Sequence, residues 1–309
     1  MSMKELHDRY AVALRRLVEL AEGDLTLIGL YIYGSSVRGD VWAHSDIDAV
    51  FITSEESRPW QPLFLMQDGI HVSAEVCSRS HFRRIHERSL RGSAGHSIFS
   101  SGKLVYSSEP TLQDYLDEAK QVGDRDLEIL RMRTAIDLAG SLHLAEKALV
   151  VLGNVITGFR RICHALEHLA CLIILEAREP LCRDIVARAR ELDSAFADLW
   201  HRALEAHNDP PALIGLHATL DVRVRERASD LFKPLLDYLR EERVVRTASE
   251  IQRSVGVRIG IEDVAHGIGT ACDLLADLGL IQRTTMPVRL TKKGRVEFEE
   301  AAFFCGGEA

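Results

Sequence analysis

The residues best suited to chemistry are two aspartates close together in this 309-residue sequence. Asp46 and Asp48 are separated by a single residue in a largely apolar run, DIDAVFIT, that predicts a β-strand. Because successive strand side chains point to opposite faces, both carboxylates would share one face. Two adjacent carboxylates repel each other, and a cation between them would allow both to stay ionised. Hard oxygen ligands of this kind favour Mg²⁺.

A predicted anion-binding turn lies about ten residues upstream of the aspartates. A buried strand over residues 25–33 ends at Gly34-Ser35, and the chain then turns into a short predicted helix. Glycine lets the backbone approach a ligand closely, and the start of a helix offers free N–H groups. The turn therefore predicts a phosphate cradle, to which Ser35 adds a hydroxyl. Arg38, one turn later, is either a phosphate ligand or a surface arginine.

Together, Gly34-Ser35 and Asp46-x-Asp48, in this order and between predicted strands, resemble the signature of the DNA polymerase β-like nucleotidyltransferase superfamily. The resemblance covers about residues 25–107. It implies an α+β fold with a small mixed sheet and helices. It also implies transfer of a nucleoside monophosphate (NMP) from a nucleoside triphosphate (NTP) to a hydroxyl, with release of pyrophosphate.

The resemblance also implies roles for these residues. Asp46 and Asp48 would be catalytic residues that hold two Mg²⁺ ions, and the nucleotide-binding residues would be Gly34, Ser35 and Arg38. ATP or another NTP would be the nucleotide substrate.

Members of this superfamily usually carry a third carboxylate on a later strand, and Glu75 is the candidate here. The run IHVSAEVC alternates strictly, which places Glu75 opposite the apolar face of the predicted strand 70–77. A charge in an otherwise apolar strand needs a partner, and a metal site would supply one. Glu75 would be a third metal ligand or the general base, unless it simply faces solvent. In some similar proteins the base comes from the helical domain, where Glu146 and Glu167 are the alternatives.

The elements that position these residues change in type along the chain. Mixed strand and helix patterns predict a nucleotidyltransferase catalytic domain over residues 1–109, with a helix at 79–91 and a strand at 103–107. Helical periodicity then predicts an α-helical bundle on the acceptor side, residues 110–227, with breaks that include Gly140.

The pattern over residues 228–309 resembles a winged-helix domain. A capping box at Thr247–Glu250 starts one helix, and a longer helix over residues 262–278 ends at Gly279. Two short strands around Met286-Pro287 and a final helix from about Lys293 complete the prediction. The longer helix has no Lys or Arg, so it would repel phosphates, and DNA binding by this domain is not expected. Its acidic residues are Glu262, Asp263, Asp273 and Asp277.

Composition limits the partners and the compartment. The chain has 38 Lys and Arg against 46 Asp and Glu, a net charge of −8, and the three predicted domains carry −2, −4 and −2. No domain is basic, which disfavours binding to nucleic acid or anionic lipid through bulk charge. Six cysteines form no C-x-x-C pair, and the first residues form an amphipathic helix rather than a signal peptide. A cytoplasmic protein without a membrane span is expected.

The catalytic-domain-then-bundle order is similar to that of aminoglycoside nucleotidyltransferases. The main functional hypothesis is therefore transfer of AMP from ATP, or of another NMP, to a small-molecule hydroxyl, with an aminoglycoside-like antibiotic as one option. One alternative is a nucleotidyltransferase that modifies tRNA or protein, as toxin–antitoxin enzymes do. An alternative of another class is a non-catalytic nucleotide sensor or transcription regulator.

Overall fold

The computed structural model describes residues 2–56, 60–89, 101–118, 123–259, 267–291 and 296–306. The chain divides into two compact units. The first contains Met1–Gly123 and the short segment Arg178–Arg183; the second contains Asp124–Ala177 and Asp184–Ala309. Residues 110–123 thus group with the N-terminal part, and the helical and C-terminal parts form one unit. The division at residues 109 and 227 stays a prediction.

The N-terminal unit is a mixed sheet with helices on both faces, which confirms the α+β class. Its elements are α1 (Met3–Gly23), β1 (Leu27–Tyr33), α2 (Ser35–Arg38), β2 (Ile47–Thr53), β3 (Gln61–Gln67), β4 (Ile70–Ser78), α3 (Arg79–Ser89), β5 (Lys103–Ser107) and α4 (Thr111–Glu118). The strand order is β3-β4-β2-β1-β5, with β2 and β4 parallel and the other pairs antiparallel.

The alternation in β1, β2 and β4 gives the sheet two different faces. The α1 face is a continuous apolar core packed against α1. It is built from Leu30, Ile32, Ile47, Ala49, Phe51, Val72 and Ala74. The opposite, α3 face is apolar only under α3 and α4. Its apolar part includes Tyr31, Val50, Ile52, Cys77, Phe82 and Leu112. Burial of one whole face fixes the register, because a one-residue slip would turn every core side chain outward.

The strand β3 was not expected from the sequence, which predicted only a polar loop before residue 63. Most of its side chains are exposed, since it lies at the edge of the sheet and pairs with β4 alone. Half-burial is what produces the alternation that reveals a strand, and an exposed edge strand lacks it.

The second unit is mainly helical. Its elements are α5 (Asp124–Glu146), a π-helical turn (Lys147–Val151), α6 (Val155–Glu176), α7 (Ile185–Leu192), α8 (Ser194–Glu205), α9 (Pro210–Glu226), α10 (Ala228–Leu231), α11 (Lys233–Glu242), β6 (Arg246–Thr247), α12 (Ala248–Ile259), α13 (Gly267–Asp277), β7 (Gln282–Val288) and β8 (Phe298–Phe304). The predicted break at Gly140 is wrong, because α5 continues through it. No strand occurs among the described residues between 111 and 242, as predicted.

The C-terminal part departs from the sequence prediction in its last elements. The Thr247–Glu250 capping box is present, with N–H donors of each residue bonded to the other's side chain at 3.0 and 3.2 Å. A single strand, β7, runs through Met286-Pro287 where two were expected. Residues 298–304 form β8 instead of the predicted final helix, because they pair with β7.

Residues 262–266 and 292–295, which hold the start of the predicted long helix and part of the basic cluster, lie outside the described residues. The winged-helix resemblance stays a prediction. Among the described helices, none is long and apolar enough to cross a membrane.

Candidate functional site

A closed turn leads into β2 and sets the position of Asp46. The Ser45 N–H donates to the Trp42 carbonyl oxygen at 3.0 Å, and the Trp42 N–H donates to Ser45 Oγ at 3.1 Å. The hydroxyl of Tyr10, on α1, donates to the Ser45 carbonyl oxygen. Val41, just before the turn, is buried in the core of the α1 face. The polar sequence between the cradle and the strand is therefore anchored at both ends.

Asp48 lies on the α3 face, between neighbours whose side chains are buried on the α1 face. It is half-buried. Burial, followed by the charge of Asp46, raises the pKa of Asp48 to about 6, while Arg38 and Arg183 act in the opposite direction. The two carboxylates thus lie within electrostatic range of each other, as the spacing predicts.

Gly34 packs directly against Asp48. Its φ is +76°, and a Cβ at this position would lie 2.1 Å from Asp48 Oδ2. Both the backbone conformation and the close approach exclude any other residue without a rearrangement. Gly34 precedes α2, in which the Val37 and Arg38 N–H groups donate to the Gly34 carbonyl oxygen, so only the Ser35 and Ser36 N–H groups lack a partner inside the helix. The turn and the carboxylates are therefore parts of one compact arrangement.

A cavity of about 510 Å³ contains most of the predicted site. Its walls include the five predicted residues from the cradle and the aspartate pair. They also include residues that the sequence did not single out. The lining residues are Tyr33, Gly34, Ser35, Arg38, Asp40, Trp42, His44, Ser45, Asp46, Asp48, Ser101 and Arg183.

Two arginines bring positive charge to this cavity. Arg38 is exposed and forms an ion pair with Asp40, at 3.2 Å. Arg183 comes from the segment that joins the N-terminal unit from much later in the chain. It is exposed and lowers the pKa of Asp48. Guanidinium groups match the geometry of phosphate oxygens, so both can meet a polyanion in the cavity.

Glu75 lies on the same face as Asp48 but is not in the cavity wall. It is half-buried, and the indole Nε1–H of Trp60 donates to its Oε2 at 3.2 Å. Its charge acts on Tyr33, which lines the cavity: burial and then the charge of Glu75 raise the pKa of Tyr33 to about 12. The structure thus places Glu75 on the same face as Asp48, opposite Val50 in the neighbouring strand, where it is hydrogen-bonded to Trp60. The alternatives Glu146 and Glu167 are exposed carboxylates of the second unit.

The donor set fits a hard divalent cation in part. Asp46 and Asp48 supply carboxylate oxygens, and their mutual repulsion is the kind that a bound cation relieves. Glu75 instead has a hydrogen bond to Trp60. Among the described residues, no three His, Cys, Asp or Glu side chains stand close enough to hold a metal ion as they are. The two aspartates are therefore the residues that would hold Mg²⁺, and the third ligand stays a prediction.

Sequence reasoning missed Arg183 and the hydrogen bond from Trp60 to Glu75. Arg183 follows Asp48 by more than a hundred residues, in a short stretch with no motif of its own. Trp60 belongs to the segment that was expected to be a loop. The tryptophan itself was the only signal in that segment, and its presence in a predicted loop does not identify Glu75 as its hydrogen-bond partner.

Comparison with known proteins supports the assignment of this region. Residues 16–111 match the family model "Polymerase beta, Nucleotidyltransferase". The structure is similar to that of a nucleotidyltransferase-like protein from Exiguobacterium sibiricum 255-15, with a TM-score of 0.63, 17% identity, and coverage of 95% of this chain and 98% of that one. At this identity, the likeness shows the fold alone. No match was found among curated proteins.

Proposed function

We propose that this chain, whose residues 16–111 are a nucleotidyltransferase domain of the DNA polymerase β-like superfamily, transfers an NMP to a hydroxyl of a small-molecule acceptor. The observation that supports this best is the packing of Gly34 against Asp48 at the wall of one cavity. This packing supports the proposal because the turn and both aspartates border the same cavity, so one triphosphate would contact both.

The residues divide the work as follows. The N–H groups and hydroxyl at Gly34-Ser35 bind the terminal phosphates, and Arg38 and Arg183 neutralise their charge. Asp46 and Asp48 hold Mg²⁺, which when bound offsets negative charge on the phosphate oxygens. Glu75 accepts the proton of the attacking hydroxyl. The donor of the NMP is ATP or another NTP.

The small-molecule acceptor is favoured by charge. The chain carries −8 overall, and no predicted domain is basic. Binding of RNA normally requires several cationic contacts to phosphate. An aminoglycoside-like antibiotic is one acceptor that fits an acidic protein, since it is a polycation. A tRNA end or a protein side chain remains the alternative acceptor.

The test is incubation with each labelled NTP and Mg²⁺ in the presence of small-molecule, tRNA and protein pools. We expect label on a small molecule, dependent on Mg²⁺ and absent with Asp48→Asn. Label on RNA or protein would transfer the proposal to that acceptor class. Absence of NTP turnover with every pool and metal would contradict the proposed activity.

A further inference from the structure

The edge strand β3 exposes a row of large apolar side chains. Phe64 is 90% exposed, Met66 60% and Trp60, immediately before the strand, 45%. We call these three residues the β3 strip. Edge strands usually carry charges, prolines or other features that prevent association, and β3 has Pro62 but no charged side chain between residues 60 and 67. Exposed apolar clusters on a protein surface commonly mark a binding site.

Strand register places the β3 strip on the α3 face, with the candidate site. Asp48 pairs with Ser73 across β2 and β4, and Ser73 pairs with Phe64 across β4 and β3. Directly opposed residues in a sheet point to the same face. Two strand spacings of about 4.8 Å therefore separate the Asp48 and Phe64 backbones by about 10 Å. Met66 pairs in the same way with His71.

Glu75 joins the β3 strip to the site. It pairs with Pro62 of β3, and its carboxylate accepts the hydrogen bond from Trp60. The proposed base is thus in direct contact with one member of the β3 strip.

The phosphate cradle lies on the other side of β2. In the order β3-β4-β2-β1-β5, Gly34-Ser35 follows β1, while Glu75 and the β3 strip lie on β4 and β3. In phosphoryl transfer the attacking and leaving oxygens lie roughly in line with phosphorus. If pyrophosphate leaves towards the cradle, the attacking hydroxyl must approach from the side of β4. That side is lined by Glu75 and then by the β3 strip.

We propose that the β3 strip binds the acceptor, and that the acceptor carries an apolar ring near its reactive hydroxyl. This rests on the proposed function and narrows its substrate class. The acceptor oxygen forms a bond to the α-phosphorus as the bond from that phosphorus to pyrophosphate breaks. The bonding electrons leave with pyrophosphate, and the hydroxyl proton passes to the Glu75 carboxylate. A wholly polar polycation would gain nothing from Phe64 or Met66, since neither carries a charge or a hydrogen-bond donor.

The test uses two probes that differ only in an apolar ring: phenyl glucoside and methyl glucoside. Both are titrated calorimetrically into the wild-type protein and into Phe64→Ser. The matched control is Ile156→Ser, because Ile156 is 77% exposed on α6 of the other unit. We expect the phenyl compound to bind at least about tenfold more tightly to the wild type and the control. We expect that difference to disappear in Phe64→Ser, since burial of a phenyl ring is favourable by this order.

Three results would overturn the proposal: equal affinity for both glucosides, a preference that survives Phe64→Ser, or an aminoglycoside that binds through Phe64 more tightly than the phenyl compound. A fourth would be a wild-type dimer that Phe64→Ser converts to a monomer, because a second copy would then cover the β3 strip. The molar mass in solution decides this last point.

A separate measurement distinguishes this proposal from the proposed function. Mg²⁺-dependent release of NMP and pyrophosphate from labelled ATP, with water as acceptor, requires Asp48 but not the β3 strip. We expect the wild type and Ile156→Ser to release both products at the same rate, and Asp48→Asn to release neither. If the wild type shows no such release and no transfer to any acceptor, the proposed function fails; if release occurs without a ring preference, only the β3 strip proposal fails.

Discussion

The two faces of the N-terminal sheet differ in composition and in the side chains that they leave accessible. The α1 face is closed and apolar, with Ile47 and Ala49 fully buried. The α3 face carries Asp48 and Glu75 half-buried, and exposes Phe64 at its edge. In β2, Asp48 thus lines the cavity, while its neighbours Ile47 and Ala49 are buried in the core of the α1 face. The difference teaches that two repelling carboxylates can be held close together when the residue between them, Ile47, is anchored in a core.

The largest expected effect is the loss of activity when either aspartate of the candidate site is replaced. Asp46→Asn or Asp48→Asn should lower Mg²⁺-dependent NMP transfer by about a thousandfold or more, because each removes an anionic metal ligand. The melting temperature should stay the same or rise, since each change also removes a repelling charge. Steady-state kinetics and thermal melting measure both. Asp114→Asn, an exposed carboxylate on α4, is the control, and activity within tenfold of wild type in either site variant would contradict the assignment.

Phe51 and Phe64 test whether the two faces differ in how much their side chains contribute to stability. Phe51→Ala, on the α1 face, should lower the free energy of unfolding by about 3–4 kcal/mol, because it leaves a cavity in a packed core. Phe64→Ala, on the α3 face, should change it by less than about 0.5 kcal/mol, because that side chain is exposed. Denaturant titration gives both values. Similar losses for the two variants would show that the faces do not differ as described.

Arg183→Ala tests whether this arginine, which is distant in sequence but lines the cavity, contributes to the candidate site. We expect a rise in KM for the NTP of about tenfold or more, because a charge-assisted contact to phosphate is lost, with partial recovery in Arg183→Lys. Arg178→Ala, in the same short segment, is the control. An unchanged KM in Arg183→Ala would remove this residue from the nucleotide site.

The smallest effect is a pH dependence that the α1 face cannot have. Because the folded-state pKa of Asp48 is raised to about 6, the metal-free folded protein binds more protons than the unfolded chain between about pH 4 and 6. Its stability should therefore fall by about 1 kcal/mol as pH rises through this window, since Asp48 is partly exposed and solvent screens its charge. Denaturant titration without metal, at several pH values, should show this slope in the wild type and not in Asp48→Asn. Saturating Mg²⁺ should also remove it.

Local sequence was enough for the parts that are locally determined. The strands around Asp48 alternate because one face is buried, and Gly34 is needed by a positive φ. Glu75 could be placed on the correct face from alternation alone. The role of each of these residues stays a prediction.

Parts that depend on distant partners could not be predicted. Too few side chains of β3 are buried to give an alternating sequence pattern. Residues 298–304 form the strand β8 because they pair with β7. Arg183 lines the cavity only because the chain folds back to the first unit, and the sequence around it contains no motif that predicts this. The common physical reason is that periodicity records burial against the rest of the chain, whereas pairing at an edge leaves little trace.

The membership of Arg178–Arg183 in the N-terminal unit has a consequence for modularity. A polypeptide ending at Gly123 would contain every strand of the first sheet and both aspartates, yet it would lack Arg183. Recombination that exchanged the N-terminal half as one block would therefore separate the aspartates from an arginine inherited with the other half. The first unit is thus discontinuous in sequence, and an exchange of either half alone would change which side chain lines the cavity beside Asp48.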